Sequence, residues 1–218
     1  MAGLKVGVLI SGRGSNLQAL IDACAAPDFP AEIVTVISNV PEVAGLERAR
    51  QAGLPALTID HKDFAERIGF ETALTDALEA AGADFVCLAG FMRVLTDHFV
   101  RHWLDRAINI HPALLPSFPG TDSHARALAA GCKLHGCTVH YVHPEVDSGP
   151  IVGQAAVPVL PDDREVSLAA RVLEAEHLLY PRCLRLIAEG RARLVDGRVV
   201  IDGIAPSGPL LIQPGEPA

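Results

Sequence analysis

Short apolar runs alternate with helical patterns through the first half of the chain. The apolar runs are continuous and bounded by Gly, Asn or Pro, and they cover residues 4–10, 32–37, 55–59, 85–89 and 107–110. Runs of this kind are typical of strands buried on both faces of a parallel sheet. The segments between them have helical periodicity, at residues 16–25, 44–52, 64–81 and 96–102. The alternation predicts an α/β fold, a Rossmann-like doubly wound sheet with helices on both faces.

The second half of the chain has a different pattern. Two more strand-like runs, at 137–142 and 151–157, flank the turn sequence HPEVDSGP, so we expect an antiparallel pair at one edge of a mostly parallel sheet. A long helix is predicted over 167–189, and the hairpin LVDGRVVI follows, with an Asp-Gly pair suited to a tight type I′ turn. We expect one domain over residues 1–203. The Pro- and Gly-rich residues 204–218 are expected to form a loose tail.

Composition narrows the possible partners. The chain has 218 residues, of which 50% are hydrophobic and 20% charged, which is typical of a globular protein. Its 18 basic and 26 acidic residues give a net charge of −8, which argues against nucleic acid as a partner. No stretch approaches the ~20 apolar residues of a membrane span, and the first run is too short for a signal peptide. The five cysteines are scattered, so we expect reduced thiols in a cytoplasmic protein.

The loop after the first run, SGRGSN at residues 11–16, has the features of an anion site. Backbone N–H groups at a helix start bind anions, and the glycines permit close approach. The structural alternative is a tight turn in which Ser15 or Asn16 is the N-cap. Leu17 replaces the third glycine of the dinucleotide fingerprint, Asn39 stands where an acidic ribose ligand would be, and no GK[ST] follows. The loop therefore favours a phosphate monoester over NAD or ATP.

Asn109, His111 and Asp147 lie where an α/β sheet places its chemistry. Side chains two apart on a strand share a face, so Asn109 and His111 should point the same way. A nearby Asp147 would favour the imidazolium and raise the pKa of His111. With the N–H donors of Asn109, this arrangement suits an oxyanion that develops during acyl transfer. Taken singly, His111 could be structural beside a proline turn, and Asp147 could belong to an ordinary turn.

Metal binding is the alternative for the His- and Cys-rich stretch that follows. His135, Cys137, His140 and His143 are close in sequence. On the predicted strand His140 and His143 are three apart and face opposite sides, and no second cluster has zinc spacing. We expect no metal.

Several segments together resemble the phosphoribosylglycinamide formyltransferases of purine biosynthesis. In chain order and spacing they are SGRGSNLQALIDAC, ISN, GLERARQAG, LAGFMRVL, NIHPALLPSFPG, HGCTVHYV, DSGPIVGQ and EHLLYP. The resemblance runs from Lys5 to about Pro181. It implies transfer of the formyl group of 10-formyltetrahydrofolate, a co-substrate, to the amine of glycinamide ribonucleotide (GAR), with no metal. It also implies small-molecule partners, no membrane and a monomer or weak homodimer.

The resemblance also implies roles for individual residues. The N-terminal half would bind phosphate, and the C-terminal half would carry catalysis and folate. For GAR the implied residues are Gly14, Ser15 and Asn16 at the phosphate and Glu176 at the ribose hydroxyls. For folate they are Met92, Arg93, Val94 and Leu95 through backbone groups, Asn109, and Arg67 at the glutamate tail. For catalysis they are Asn109, protonated His111 and Asp147. Residues 92–95 could instead be core at a helix entry, and Arg67 and Glu176 solvated helix charges.

Three positions depart from the family pattern, and related activities remain as alternatives. Ser117 stands where a basic residue is common, Asp122 where a histidine is common, and Leu173 where a polar phosphate ligand is common. A formyltetrahydrofolate hydrolase would carry an added N-terminal regulatory domain, whereas the first strand here starts by Leu4. A methionyl-tRNA formyltransferase would add a C-terminal tRNA-binding domain. A nucleotide-binding module or dehydrogenase is the alternative from another class.

Overall fold

A mixed seven-stranded sheet organises the computed structural model, which describes residues 3–203; the predicted tail at 204–218 lies outside the described residues. The strand order is β3-β2-β1-β4-β5-β6-β7. Strands β1 to β5 are parallel, whereas β6 runs antiparallel to β5 and β7 antiparallel to β6. This confirms the predicted sheet. The strand bounds are β1 Leu4–Ile10, β2 Ala31–Ser38, β3 Ala56–Thr58, β4 Phe85–Leu88, β5 Ala107–His111, β6 Leu134–Tyr141 and β7 Ile151–Pro158.

Helices cover both faces of this sheet. Their bounds are α1 Ser15–Cys24, α2 Ala44–Gln51, α3 Arg67–Ala80, α4 Asp97–His102, α5 Ser123–Ala129 and α6 Glu165–Ala188. Alternate residues of β1 serve two cores, because Val8 packs with α1, α2 and α6 while Leu9 packs with α3 and α4. The continuous apolar runs of the sequence follow from this arrangement, since each central strand is buried on both sides.

The final hairpin forms a separate two-stranded sheet. Strands β8 (Ala192–Val195) and β9 (Arg198–Ile201) pair antiparallel. Asp196 and Gly197 both have positive φ, 48° and 74°, as a type I′ turn requires. The predicted hairpin is confirmed.

Some predicted boundaries were wrong. The helix predicted over 64–81 begins at Arg67, because Phe64 and Glu66 have extended backbone conformations after the 3-10 turn His61–Asp63. The strand predicted over 55–59 is shortened to β3, and the helix predicted over 167–189 starts earlier, at Glu165.

Two further differences lie next to the cleft described below. Helix α5 was not predicted, since it has seven residues and buries few of them. Strand β6 begins at Leu134 rather than Cys137, and β5 reaches His111, because Ala107–His111 pairs with β6 up to the His111–Thr138 position. The antiparallel pairing therefore extends the carboxyl end of β5 by one residue.

Candidate active site

A cleft of about 1070 Å³ opens at the carboxyl ends of β1, β4 and β5. Doubly wound sheets bind their ligands at this edge. Almost all of the predicted site residues line it: Gly14, Ser15, Asn16, Met92, Arg93, Val94, Leu95, Asn109, His111, Asp147 and Glu176. Arg67 does not, because it is the exposed first residue of α3, and its folate contact stays a prediction.

The first loop presents free N–H groups to the cleft. Gly14 is the N-cap of α1 with φ 70°, and no side chain caps the helix, so the N-cap alternative for Ser15 or Asn16 was wrong. A Cβ at Gly14 would lie 2.6 Å from Cα of Gly45 in α2, so the loop needs glycine for its conformation and for this close contact. The first N–H groups of a helix have no intrahelical acceptor. Together these features form an anion site at the start of α1.

Asn16 and Glu176 meet across the cleft, although 160 residues separate them. The Asn16 Nδ2 donates to Glu176 Oε2 at 2.7 Å, and both side chains are buried. Burial raises the pKa of Glu176 to about 6, and the hydrogen bond from Asn16 partly opposes this rise. Within the described residues, the buried Asn16 Oδ1 has no hydrogen-bond partner. The pair thus offers acceptor oxygens for hydroxyl or amine donors.

The structure brings His111 and Asp147 together as predicted from the sequence. The His111 Nδ1 lies 3.3 Å from Asp147 Oδ2, and its Nε2 lies 2.9 Å from the Phe118 carbonyl oxygen. A carbonyl oxygen accepts only, so Nε2 must carry a hydrogen, and Nδ1 faces a carboxylate that also accepts. The ring is 5% exposed. These two contacts fit an imidazolium, which donates from both nitrogens.

Asp147 connects the turn after β6 with the loop before α5. Its Oδ2 accepts from the Gly120 N–H at 2.7 Å, and its Oδ1 lies 3.6 Å from His140 Nε2. Burial would raise the pKa of the Asp147 carboxyl, but the hydrogen bonds from His140 and Gly120 and the charge of His111 lower it overall. Asp147 is therefore ionised at neutral pH and can act as a fixed negative charge beside His111.

His140 is a site residue that sequence reasoning missed, because we considered it as a metal ligand. The register of β5 and β6 places it directly opposite Asn109, and its Nε2 lies 3.3 Å from Asn109 Nδ2. Its Nδ1 lies 2.9 Å from the Tyr141 carbonyl oxygen and must donate there, which fixes the ring with Nε2 between Asn109 Nδ2 and Asp147 Oδ1. His140 thus orients Asn109. No local signal in the sequence gives the register of β5 against β6, so sequence spacing alone could not have found His140.

Residues 92–95 form one wall of the cleft, and this wall is more exposed than the His111–Asp147 pair. Met92 is 77% exposed and Val94 58% exposed, although both are apolar, and both stand in the cleft. The Met92 N–H donates to Ser11 Oγ at 2.8 Å. The alternative of core packing is therefore wrong for Met92 and Val94, whereas Leu95 is buried as core.

Two of the three positions that depart from the family pattern line the same cleft, and Ser117 does not. Asp122, with φ 57°, and Leu173 both line it. Among the described lining residues the arginines are Arg13 and Arg93, and there is no lysine. Arg13 lies beside Gly14 at the anion site, so it can supply positive charge there that Leu173 does not.

The His- and Cys-rich stretch forms no metal-binding group within residues 3–203. The His135 Nε2 lies 3.2 Å from His124 Nδ1, and burial lowers the pKa of His135 to about 4. Strand β6 ends at Tyr141, so the expected opposite facing of His140 and His143 was wrong, and both line the cleft. No helix in the described part of the chain is long and apolar enough to cross a membrane.

Comparison with known proteins defines the class to which this fold and cleft belong. The profile of the formyl transferase family matches residues 4–184. The chain therefore belongs to the formyl transferase family.

Individual members of this family are similar to the chain over most of its length. The chain is 43% identical over 201 residues to phosphoribosylglycinamide formyltransferase of Haemophilus influenzae, covering 92% of this chain and 95% of that protein. It is 56% identical over 190 residues, 86% of its length, to the trifunctional purine biosynthetic protein adenosine-3 of Drosophila melanogaster, but spans 14% of that protein. Glycinamide ribonucleotide transformylase 1 of Symbiobacterium toebii superposes with a TM-score of 0.89 at 46% identity, covering 92% and 94% of the two chains. The resemblance inferred from the motifs is confirmed.

Proposed function

We propose that the chain transfers the formyl group of 10-formyltetrahydrofolate to the amine of GAR in purine biosynthesis. The observation that carries this proposal is the buried contact of His111 with Asp147, beside Asn109, in a cleft that also contains a free helix N-terminus. Its relatives named as phosphoribosylglycinamide formyltransferases, matched over nearly their full length, support the same activity.

The transfer begins with attack of the GAR amine on the formyl carbon. A C–N bond forms and the formyl oxygen gains negative charge in a tetrahedral intermediate. An N–H of the Asn109 amide donates to this oxygen, and the positive charge of the His111 imidazolium stabilises it electrostatically; a single such donor contributes about 10²–10³ in rate. His140 holds the amide for this task, because its Nε2 contacts Asn109 Nδ2.

Collapse of the intermediate breaks the bond to the folate nitrogen and restores the carbonyl. The attacking amine loses a proton and the leaving nitrogen gains one, so the reaction needs a relay but no net proton. Asp147 keeps His111 charged and orders a water for this relay. Its lowered pKa keeps it ionised at neutral pH, as this role requires.

The two ends of the cleft suit the two substrates. The N–H groups at the start of α1 and the guanidinium of Arg13 receive the phosphate of GAR, and Glu176 accepts from the ribose hydroxyls. The exposed apolar side chains of Met92 and Val94 cover the pterin, and the backbone of residues 92–95 supplies its polar contacts. Asn109 lies between both ends, at the formyl group.

Hydrolysis of 10-formyltetrahydrofolate is the second candidate, since the same centre would activate an attack by water. The free anion site at the start of α1 favours a phosphorylated acceptor instead. The test measures release of tetrahydrofolate by the purified protein with and without GAR. We expect turnover to depend on GAR by at least about 100-fold. Equal rates with and without GAR would show that the protein is a hydrolase.

A further inference from the structure

Glu71 of α3 is a buried carboxylate that the proposed mechanism does not use. Glu71 is 0% exposed. One carboxylate oxygen accepts the Thr96 N–H at 2.8 Å, and the other accepts the Thr96 hydroxyl. Within residues 3–203 it makes no ion pair with a basic side chain. A buried carboxyl group needs hydrogen-bond partners, and Thr96 supplies two donors, so this contact joins α3 to the start of α4.

Thr96 directly follows the wall formed by residues 92–95. At the other end of this wall, the Met92 N–H donates to Ser11 Oγ, which in turn donates to Asn39 Oδ1 at 2.5 Å. The wall is therefore held at both ends by buried or half-buried polar side chains. Because Met92 and Val94 are exposed, packing of these two side chains does not fix its backbone.

Helix α3 makes polar contacts with the region of α4 through Glu71, Thr72, Thr75 and Glu79, and three of these contacts recur at intervals of one turn. Glu71 contacts Thr96, Thr75 Oγ1 accepts from Trp103 Nε1 at 3.4 Å, and Glu79 contacts His102 at 2.8 Å. The first lies next to the wall, whereas the last is at the far end of the helix pair and is exposed. Glu79 is thus a matched control, since it joins the same helices without touching the wall.

We propose that Glu71 is a positioning residue that holds residues 92–95 in the conformation that receives folate. This rests on the proposed function, in which these residues form the folate wall. Two hydrogen bonds from one residue, through its backbone N–H and its hydroxyl, fix both the position and the rotation of Thr96, and so the end of the wall. A wall ordered in advance binds its ligand without the entropic cost of ordering it.

The test is steady-state kinetics of Glu71→Gln with Glu79→Gln as control. An amide is a weaker acceptor than a carboxylate, so we expect the KM for 10-formyltetrahydrofolate to rise about fivefold in Glu71→Gln. The kcat should stay within about twofold and the KM for GAR should not change. Its circular dichroism spectrum should be unchanged, because the amide keeps the size of the side chain and one acceptor oxygen. Glu79→Gln should keep wild-type values throughout.

Thr96 gives an independent pair of variants should Glu71→Gln fail to fold. Thr96→Val removes the hydroxyl donor and should raise the folate KM, whereas Thr96→Ser keeps the donor and should restore it. Trp103, the chain's one tryptophan, reports by fluorescence whether α3 and α4 stay packed.

The outcomes separate this inference from the proposed function. An unchanged folate KM in Glu71→Gln and Thr96→Val, or an equal change in the KM for GAR, would overturn the positioning role while GAR-dependent turnover of the wild type still stood. If the wild type showed no such turnover, the proposed function would fail. Equilibrium binding of tetrahydrofolate to wild type and Glu71→Gln would then decide the role of Glu71 alone, with weaker binding supporting it and equal binding overturning it.

Discussion

The proposed catalytic centre, formed by Asn109, His111 and Asp147, and the wall at residues 92–95 share one cleft but are built in opposite ways. At the centre the side chains are buried or half-buried: His111 contacts Asp147 and both contact the backbone, while Asn109 contacts His140. At the wall, the side chains of Met92 and Val94 are exposed, and other residues hold the backbone through hydrogen bonds. Side-chain chemistry therefore matters at the centre, and backbone position matters at the wall.

This difference determines which kinetic constant each region controls. Groups that meet charge developing in the transition state change kcat, because they stabilise it more than the ground state. Groups that shape a preformed surface change binding and so KM. Substitutions in the two regions should consequently separate, and their effects should differ in size.

The largest effect is expected from His111→Ala and Asp147→Asn. The first removes the cation and the second the carboxylate beside it, so each should lower kcat about 10³-fold or more. Single-turnover formyl transfer measures this, and circular dichroism should show an unchanged fold. Activity within about tenfold of wild type in either folded variant would remove the proposed mechanism.

An intermediate effect is expected from Glu176→Gln, at the GAR end of the cleft. The KM for GAR should rise about tenfold at neutral pH, because an amide is a weaker acceptor for ribose hydroxyls. In the wild type the KM for GAR should also rise as the pH falls below about 6, where Glu176 becomes protonated. The variant should lack this rise. The same pH dependence in both proteins would contradict the role of Glu176.

Stability should respond to Glu176 with the opposite sign. Burial raises the pKa of Glu176 above its usual 4.5, so the ionised form costs stability above about pH 6, and the cost disappears toward pH 4.5. Glu176→Gln should therefore be at least as stable as wild type at neutral pH, as measured by urea unfolding.

The smallest effect is expected from Met92→Ala. The side chain is 77% exposed, and the wall is held through its backbone, so the KM for folate should rise only about twofold with kcat unchanged. A tenfold loss of kcat in this variant would show that the wall takes part in the chemistry, and the contrast with the centre would fail.

The sequence predicted the fold and the residues of the proposed catalytic centre better than the residues that hold them in place. Strand periodicity placed Asn109 and His111 on one face of β5, and the glycine-rich loop indicated the anion site, because both features are local. His140 depends on the register of β5 against β6, which sequence spacing does not give. Glu71 looks like an ordinary helix charge, since its burial comes from the packing of α4 on α3. Helix α5 was missed because its seven residues follow a Pro-rich stretch and lack a long apolar face.

The most direct test of the account is the protonation state of His111 in the assembled site. Nitrogen-15 NMR of histidine-labelled protein, bound to GAR and tetrahydrofolate at neutral pH, reports the two ring nitrogens, and a His111→Ala sample assigns the signal. We predict that both nitrogens carry a proton, donating to Asp147 and Phe118 as the contacts require, and that Asp147→Asn removes one of them. A neutral ring with one bare nitrogen in the wild-type complex would contradict the claim that His111 acts as a cation.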